Sequence, residues 1–336
     1  MSAAPAESSR SAARVLAIVI NYRTAPMTIE ALRALVPELR ALPGARALVV
    51  ENGSGDDSPA QLASALRREG WEDLVSLIAS ERNRGFAGGV NLALESALRS
   101  ADPPSCIYLL NSDAFVASGA VRSLVRFLEA HPEVGICGSY IHGSGGEPHE
   151  TAFRFPSIVG EFIARVPLWP FTRFLMRFTV ALPIPTRPTA VDWLAGASML
   201  IRRQVFEAIG GFDDGFFLYY EETDFCRRAR AAGYSTWYVP ESRVTHLGSK
   251  STGFQDPSRP RASYWYESRR RYLRKHHGAA YLHLANLCWV TSYALGRLRR
   301  AVKGLPDRDP PRLFADFLRH NFSPRASARL DDAGRR

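Results

Sequence analysis

The stretch "LLNSDAFV", residues 109–116, decides the fold because it carries an apolar run straight into a polar segment. The run starts at Cys106, and Asn111-Ser112-Asp113 follows it directly. These residue types are common in turns and at helix N-caps, so the segment could be a turn and nothing more. Open α/β sheets bind ligands at the carboxyl ends of their parallel strands, so Asp113 could instead be a metal ligand at such an edge.

The same strand and helix pattern recurs around this stretch. Short apolar runs predict buried parallel strands at 15–20, 47–50, 74–78 and 107–110. Apolar residues at helical spacing predict helices at 28–40, 59–69, 91–99 and 121–130. Four alternations of strand and helix predict an α/β, Rossmann-like, mostly parallel sheet flanked by helices.

The segments after these four strands are polar or rich in glycine, and they lie at 21–23, 51–54, 83–89 and 111–113. In a parallel sheet such segments meet at one edge. One polar loop has little meaning, since loops are usually polar, but four in succession favour a nucleotide-binding crevice. The later chain is less regular, with a predicted strand and glycine turn at 191–201, helices ending at Gly210 and Gly233, and a last strand at 235–239.

Length and composition limit the domain organisation. A chain of 336 residues, 46% of them hydrophobic, suffices for one large α/β domain with an appendage or for two domains. We expect a disordered tail at 1–14, one α/β domain at 15–260 and a basic helical extension at 261–336. The start lacks the apolar core of a secretory signal. The four cysteines form no CxxC pair, so we expect reduced thiols in a cytosolic protein rather than a zinc or redox site.

The net charge of +10 favours anionic partners. Much of this charge follows residue 260, where no zinc-finger spacing or RNA-recognition signature accompanies it, so we expect no nucleic-acid partner. An apolar segment with basic flanks, 279–296, is at the short limit for a membrane span, and we favour a helix lying on the membrane surface. The proline-broken segment 161–185 could be a surface flap or ordinary core packing.

Six segments taken in order resemble glycosyltransferase family 2, the large inverting family on the GT-A fold, and its bacterial rhamnosyltransferase-like branch in particular. They are "AIVINYR" (17–23), "VVENGSGDDS" (49–58), "NRGFAGGVNLAL" (83–94), "LLNSDAFV" (109–116), "WLAGASMLIRRQVFEAIGGFDDGFFLYYEETDFCRRARAAGY" (193–234) and "VTHLGSKST" (244–252). The resemblance implies a GT-A domain that binds a nucleoside-diphosphate sugar at the carboxyl edge of its sheet.

The resemblance also implies a donor site. Its predicted nucleotide-sugar-binding residues are Asn21, Glu51, Asn83, Gly85, Phe86, Asn91, Asn111, Asp113 and Arg203. Members of the family usually have Asp where this chain has Glu51. Asp113, with His246, would hold Mg²⁺ or Mn²⁺, and the sugar diphosphate would supply the remaining oxygen ligands.

The general base implied by the resemblance is Glu222, in "FFLYYEETD". The pair here is Glu-Glu, where the family has Glu-Asp, so Glu221 and Asp224 are the substitutes to consider. Acids in the first turn of a helix also complement its dipole, which is the structural alternative. On the acceptor side we expect Trp193, Gly196, Glu221 and Asp224, although Trp193 could equally be a packing residue.

The predicted function is inverting transfer of a sugar, with rhamnose from dTDP-rhamnose as the leading donor, to a lipid-linked or oligosaccharide acceptor in cell-surface polysaccharide synthesis. We expect a cytoplasmic enzyme bound peripherally to the anionic inner face of the cell membrane. One alternative is a sugar-nucleotide pyrophosphorylase, but its early glycine-rich activation motif is absent. The other is a non-enzymatic protein that binds membranes or nucleic acid through its charge, which leaves the crevice segments unexplained.

Overall fold

A computed structural model of the chain describes residues 14–166, 175–248, 258–307 and 309–323. The predicted disordered tail, apart from its last residue, and the arginine-rich end of the chain lie outside these ranges. Part of the 161–185 segment and the end of the "VTHLGSKST" segment also lie outside them. The domain boundaries at 14/15 and 260/261 stay predictions.

The first 130 residues contain the predicted alternation of strands and helices. The elements are β1 (Val15–Asn21), α1 (Ala25–Arg40), β2 (Arg46–Glu51), α2 (Ser58–Arg68), β3 (Val75–Ala79), α3 (Gly85–Leu98), β4 (Cys106–Asn111), β5 (Ala114–Val116) and α4 (Ala120–Ala130). Each predicted strand and helix is present. The sequence pattern did not predict the short strand β5, which has only three residues.

Helix α3 begins six residues before its predicted start, so most of the glycine-rich segment 83–89 is helical rather than a loop. Glycine is a poor helix former, and packing overrides its propensity here. A Cβ added at Gly89 would lie 3.2 Å from Ile20 Cγ2, so the glycines let α3 pack closely on β1. The prediction of a loop was wrong because the pattern counted propensity and not this close contact.

The second half of the chain adds six strands and six α-helices to the described structure. They are β6 (Val134–His142), β7 (Ala152–Phe153), α5 (Ile158–Ile163), β8 (Thr189–Val191), β9 (Trp193–Leu194), β10 (Ser198–Arg202), α6 (Arg203–Ile209), α7 (Glu221–Ala231), β11 (Ser235–His246), α8 (Ser263–His277), α9 (Ala279–Val302) and α10 (Leu313–Phe322). The strand predicted at 191–201 is therefore three short strands, and the last strand extends to His246.

The main sheet of the described residues has the strand order β3-β2-β1-β4-β10-β6-β11-β5, with β8 also paired to β11. Strands β1 to β4 are all parallel, as predicted. Strand β10 lies antiparallel between β4 and β6, while β11 is parallel to β6. The sheet is thus mixed but mostly parallel in its first half, and its amino-terminal strands present their carboxyl ends at one edge.

Hydrophobic layers cover both faces of the sheet. Along β1, Ala17 and Val19 face the layer under α1, α2 and α4, while Ile18 faces the layer under α3, α6 and α7. All three are essentially inaccessible. Burial on both faces is typical of central parallel strands, and it explains why these strands are continuous apolar runs in the sequence.

The C-terminal helices form a smaller body beside the sheet, with apolar clusters of their own. One cluster joins Phe216 to Tyr272 and Leu282, and another joins Tyr266 and Trp289 to Phe317. Helix α5, whose last three residues begin the 161–185 segment, packs against α9 through contacts such as the hydrogen bond from the Ile158 amide to Tyr281 Oη. Among the described helices, none has both the length and the apolar character that a bilayer crossing requires.

Candidate active site

A cleft of about 450 Å³ opens at the carboxyl ends of β1, β2 and β4. The amino end of β10 reaches the same edge because β10 is antiparallel to β4. Most of the predicted site residues line this cleft: Asn83, Gly85, Phe86, Asn111, Asp113, Gly196, Glu221, Glu222 and His246. Residues from five separate segments of the chain therefore meet in one cavity.

The Asp113–His246 pair forms one end of the cleft. Ser112 and Asp113 make the turn between β4 and β5, and β5 pairs with the end of β11 in a register that places Ala114 opposite His246. The His246 ring consequently lies with Nε2 3.0 Å from Asp113 Oδ1. The turn interpretation of the "NSD" segment is confirmed, and the carboxylate of that turn faces a cavity rather than capping a helix.

These side chains are compatible with a divalent cation, although they provide few ligands. The 3.0 Å separation matches two adjacent ligands of an octahedral ion with bonds of 2.0–2.1 Å. Asn111, whose Nδ2 is 3.5 Å from His246 Nε2, adds an amide to the same corner. Within the described ranges there is no group of three or more His, Cys, Asp or Glu side chains that could hold a metal. A cation here would need further oxygen ligands from a bound diphosphate.

A pair of acids, Glu221 and Glu222, enters the cleft from the first turn of α7. The two residues before the helix, Tyr219 and Tyr220, both adopt left-handed conformations, with φ of 69° and 68°. Non-glycine residues rarely occupy this region, and each instance costs about 1–3 kcal/mol. The sharp turn they make aims the first turn of α7 at the cavity.

Burial raises the pKa of both acids. For Glu221 the neighbouring Glu222 carboxylate raises the pKa further. For Glu222 backbone N–H groups, including that of Gly196, act in the opposite direction. One carboxylate oxygen of each acid is buried without a hydrogen-bond partner in the described part of the chain. A carboxylate with a raised pKa accepts a proton more readily near neutral pH, which suits a general base.

Asp224, in contrast, does not line the cleft, and its proposed part on the acceptor side is not supported. Its side chain is fully buried and contacts Arg228, Lys275 and His276 at 2.7–2.8 Å. Burial alone would raise the pKa of Asp224, but hydrogen bonds from His276, Lys275 and Arg228 lower it well below its usual value. This carboxylate joins α7 to α8 and is a poor proton acceptor.

Asn21 and Glu51 lie behind the cleft surface rather than on it. Asn21 is completely buried, and its Oδ1 accepts a hydrogen bond of 2.8 Å from Thr28 Oγ1. The Glu51 carboxylate is 2% exposed and accepts hydrogen bonds from the backbone N–H groups of Gly53 and Ser54. Neither side chain therefore lines the cleft in this structure, because both are used to shape the loops after β1 and β2.

Their sequence neighbours Tyr22 and Asn52 line the cleft instead. Asn52 Nδ2 donates to the Gly85 carbonyl at 2.9 Å and to Asn83 Oδ1 at 3.2 Å, which ties the loop after β2 to the start of α3. Both residues stand in the polar segments singled out from the sequence. Strands β1 and β2 each end one residue later than the sequence pattern predicts, at Asn21 and Glu51. The side chains that line the cleft are therefore those of the residues that follow, Tyr22 and Asn52.

Three more predicted residues, Asn91, Trp193 and Arg203, lie away from the cleft. The Asn91 amide exchanges hydrogen bonds with the backbone of Phe212 at 2.7 and 2.9 Å and anchors the segment after α6. Trp193 stacks on Phe153 with ring centroids 4.2 Å apart, so its alternative interpretation as a packing residue is correct.

Arg203 lies at the opposite edge of the sheet. Its amide donates to the Ser105 carbonyl, and the preceding residue Arg202 pairs with Cys106 at the amino end of β4. The four residue steps from Ser198 to Arg202 span about 13 Å of strand, which carries Arg203 away from any diphosphate in the cleft. Arg203 therefore lies away from the cleft, and its position does not support a phosphate-binding role.

An aromatic wall, which we define as Phe217, Tyr219 and Tyr264, was not predicted as part of the site, yet all three residues line the cleft. The Phe217 and Tyr264 rings are 5.6 Å apart and the Tyr219 and Tyr264 rings 6.0 Å apart. The run "FFLYYEETD" contains the first two residues of the wall. Tyr264 comes from α8, and no sequence spacing connects it with the others.

Gly85 holds this wall in place by close approach. Its φ is +71°, and a Cβ at this position would lie 2.2 Å from the carbonyl oxygen of Phe217. That oxygen accepts a hydrogen bond of 2.9 Å from the Phe86 amide. Only glycine permits this conformation and this contact together, so the start of α3 and the aromatic wall are fixed relative to each other.

A mostly parallel sheet with an acid-lined cleft at its carboxyl edge is the arrangement of the GT-A glycosyltransferases, and solved structures of that class share this fold. The mannosyltransferase PcManGT from Pyrobaculum calidifontis, in complex with GDP-Man and Mn²⁺, matches 97% of this chain and 80% of its own, with a TM-score of 0.54 and 18% identity. GalNAc-T7 with UDP, GalNAc and Mn²⁺ matches 70% of this chain and 44% of its own, with a TM-score of 0.51 and 15% identity.

The chain belongs to glycosyl transferase family 2, whose sequence model matches residues 17–210. It is 29% identical to an N-acetylglucosaminyl-diphospho-decaprenol L-rhamnosyltransferase of Mycobacterium tuberculosis over 71% of this chain and 74% of that protein. It is 26% identical to the rhamnosyltransferase WbbL of Escherichia coli over 48% of this chain and 60% of that protein. The family and the rhamnosyltransferase-like branch expected from the sequence are confirmed, and the pyrophosphorylase alternative is set aside.

Proposed function

We propose that the protein transfers a sugar, with inversion at the anomeric carbon, from a nucleoside-diphosphate sugar to an acceptor hydroxyl. The observation that carries this proposal is the presence of Asp113 and Glu222 in a single cleft. A donor diphosphate at the first acid and an acceptor hydroxyl at the second would meet across that cavity.

On the donor side, Asp113 and His246 would hold Mg²⁺ or Mn²⁺. A cation bound there would supply positive charge to offset the negative charge that the leaving diphosphate gains. Tyr22, Asn52 and Asn83 would contact the nucleoside. Phe86 would lie beside the sugar diphosphate, where the start of α3 lets the backbone approach.

On the acceptor side, Glu222 would accept the proton of the attacking hydroxyl. The hydroxyl oxygen then forms a bond to the anomeric carbon on the face opposite the breaking bond to the diphosphate, which inverts the centre. The raised pKa of Glu222 supports this role. The Glu221 pKa is raised further by the adjacent carboxylate, so Glu221 would stay protonated and avoid placing a second negative charge beside the base.

We further propose rhamnose from dTDP-rhamnose as the donor sugar and a lipid-linked saccharide as the acceptor, in the synthesis of a cell-surface polysaccharide. Support comes from the names of the two relatives, both rhamnosyltransferases, one of them acting on a decaprenol-linked diphosphosaccharide. An acceptor of that kind would place the enzyme at the cytoplasmic face of the cell membrane as a peripheral protein.

Nucleotide release from a panel of dTDP-, UDP- and GDP-sugars, measured with Mn²⁺ and a short lipid-linked saccharide, tests this function. We expect acceptor-dependent release of dTDP from dTDP-rhamnose, with much slower release from the other donors. Release that is fastest from a UDP- or GDP-sugar would overturn the choice of donor. Absence of acceptor-dependent release from every donor would overturn the proposed transfer.

A further inference from the structure

The outward face of α9 carries an apolar stripe, which we define as Leu284, Leu287, Leu295, Leu298 and Val302. The exposed fractions of these side chains run from 43% for Leu295 to 78% for Val302. Their spacings of three, four and eight residues place them on one narrow face of a helix with 3.6 residues per turn. Exposed apolar residues are common singly, but five on one helix face, with the exposed Thr291 among them, mark an interaction surface.

The opposite face of α9 already satisfies the packing needs of the fold. Trp289 is 2% exposed and stacks on Phe317 with ring centroids 3.6 Å apart. Gly296 packs against the backbone of Arg165, whose carbonyl oxygen a Cβ would meet at 3.2 Å. Helix α9 therefore has two apolar faces, and nothing in the described part of the chain covers the stripe.

Arg297 and Arg300 of α9 pair with Asp307 and Asp309, and the charge left unpaired on this helix within the described ranges is positive. Helix α9 contains no Asp or Glu, and its basic residues lie in the last two turns. Arg299 and Lys303 are exposed and form no ion pair within the described ranges. From residue 258 to residue 323 the chain has 14 Lys and Arg against four Asp and Glu, so most of the net charge of +10 lies in this part.

We propose that the stripe inserts into the interfacial layer of an anionic phospholipid bilayer, with α9 lying parallel to the membrane plane. An apolar face with basic residues beside it is the pattern of interfacial helices. The stripe is purely aliphatic, whereas protein interfaces are enriched in Trp and Tyr at their centres. A second copy of the chain would also present the same unpaired Arg299 and Lys303, and these like charges would repel each other.

Membrane binding through the stripe would hold the cleft beside a lipid-linked acceptor, and in this respect the proposal rests on the proposed function. The binding itself requires no donor, cation or acceptor. Membrane binding and sugar transfer can consequently be measured in separate experiments.

Flotation of the full chain with vesicles tests the proposal. We expect the chain to float with vesicles of phosphatidylcholine and phosphatidylglycerol, and much less with phosphatidylcholine alone. The single substitutions Leu284→Gln, Leu287→Gln and Leu298→Gln should each lower the bound fraction by about tenfold or more. Each removes most of the favourable free energy of transferring a leucine side chain from water into the membrane. Phe322→Gln, at a residue with a similar exposed fraction of 44% on α10, is the matched control and should leave binding unchanged.

A second pair of substitutions tests the charge. Arg299→Gln and Lys303→Gln should each weaken binding to the anionic vesicles about fivefold, and added salt should have the same direction of effect. All of these side chains are exposed, so the far-UV spectrum and the Tm should stay as in the unchanged protein.

Three results would overturn the proposal. The first is no flotation of the unchanged chain, and the second is equal flotation of the three single leucine variants. The third is a dimer that dissociates when the stripe is changed, which would assign the stripe to a second copy. Nucleotide release with a water-soluble acceptor should be normal in the stripe variants. Failure of that release in the unchanged protein would count against the proposed function and not against membrane binding.

Discussion

At the residue scale, the two acids of α7 differ in what surrounds them, although they are adjacent in sequence. The pKa of Glu222 is raised by burial and lowered by backbone N–H groups, whereas the pKa of Glu221 is raised by burial and again by its neighbour. Pairs of acids whose surroundings separate their pKa values are a common basis for assigning catalytic roles. The assignment of Glu222 as the base rests on the family resemblance and on its place in the cleft, and burial raises the pKa of both acids.

Replacing the Glu222 carboxylate with an amide removes its ability to accept a proton and keeps the shape of the side chain. We expect Glu222→Gln to lower kcat by about 10²–10⁴-fold, the usual contribution of general base catalysis. Calorimetric binding of the nucleotide should change little. Glu207→Gln, on α6 with a 53% exposed side chain, is the matched control, and normal turnover by the Glu222 variant would remove this residue as the base.

Replacement of the acid at the other end of the cleft tests the cation site. We expect Asp113→Ala to abolish the gain in donor affinity that Mn²⁺ gives, because the carboxylate is the only anionic protein ligand proposed there. Titration calorimetry with and without Mn²⁺ measures this gain. Asp102→Ala, a surface residue paired with Arg14, should keep it, and an undiminished gain in the Asp113 variant would contradict the site.

The protonated acid beside the base has a consequence for stability. A carboxyl whose folded-state pKa is raised stabilises the fold only while it is protonated, so its contribution is present at low pH and is lost as the pH rises through that raised pKa. We expect Glu221→Gln, which cannot ionise, to raise the Tm at pH 8. The gain should disappear near pH 4, where Glu221 is protonated in the folded and the unfolded states alike. A gain of the same size at both pH values would show that ionisation is not its cause.

At the scale of the elements, the contact between the start of α3 and the aromatic wall depends on one glycine. We expect Gly85→Ala to destabilise the protein by about 2 kcal/mol or more, from the left-handed φ and from the clash with the Phe217 carbonyl oxygen. Chemical denaturation measures this loss.

Gly70→Ala separates these two causes. Gly70 also has a positive φ, of 64°, but a Cβ there meets nothing within 4 Å. The control variant should therefore lose only the conformational part, about 1–2 kcal/mol. Equal losses in the two variants would mean that the contact with the aromatic wall contributes nothing.

The first four strands and helices were predictable from the sequence because their signal is local. Apolar runs define strands that are buried on both faces, such as Val15–Asn21, and helical spacing defines the helices between them. The position of β10 was not predictable, because the pairing of a strand depends on partners distant in the chain. The position of Arg203 away from the cleft follows from this pairing, since local sequence gives no strand direction.

Within the candidate site, sequence patterns identified segments better than individual side chains. Asp113, His246 and Glu222 were placed correctly in the cleft, but Asn21 and Glu51 were exchanged for Tyr22 and Asn52. A difference of one residue in where a strand ends turns a side chain from one face to the other, and strand ends are poorly defined by periodicity. Contacts between elements that are distant in the chain, such as Tyr264 with Phe217, cannot be predicted from the spacing of residues in the sequence.

At the scale of the whole molecule, one buried carboxylate connects the sheet domain with the C-terminal helices. Asp224 on α7 contacts Lys275 and His276 on α8. We expect Asp224→Asn to destabilise the protein by about 1.5–3 kcal/mol, because it removes a buried carboxylate that accepts hydrogen bonds from three partly exposed cationic groups. Asp307→Asn, which removes a 51% exposed carboxylate, is the control and should change stability by less than about 1 kcal/mol.

The pH dependence of the same carboxylate has the opposite sign to that of Glu221. The folded-state pKa of Asp224 is lowered, so its contribution is present above its unfolded-state value and is lost as the pH falls through the lowered pKa. Urea denaturation at pH 7 and at pH 3 should therefore show a smaller difference between Asp224→Asn and the unchanged protein at the lower pH. A constant difference would indicate that the side-chain shape, and not its charge, joins the two parts.

The pairing of β5 with the end of β11 has a consequence for biosynthesis. Asp113 and His246 are brought together only by that pairing, and 133 positions separate them along the chain. A nascent polypeptide that has left the ribosome as far as α4 holds the first residue and lacks the second. Any ligand that requires both can recognise only a chain translated beyond His246, so such a ligand would protect from degradation only those molecules that extend past β11.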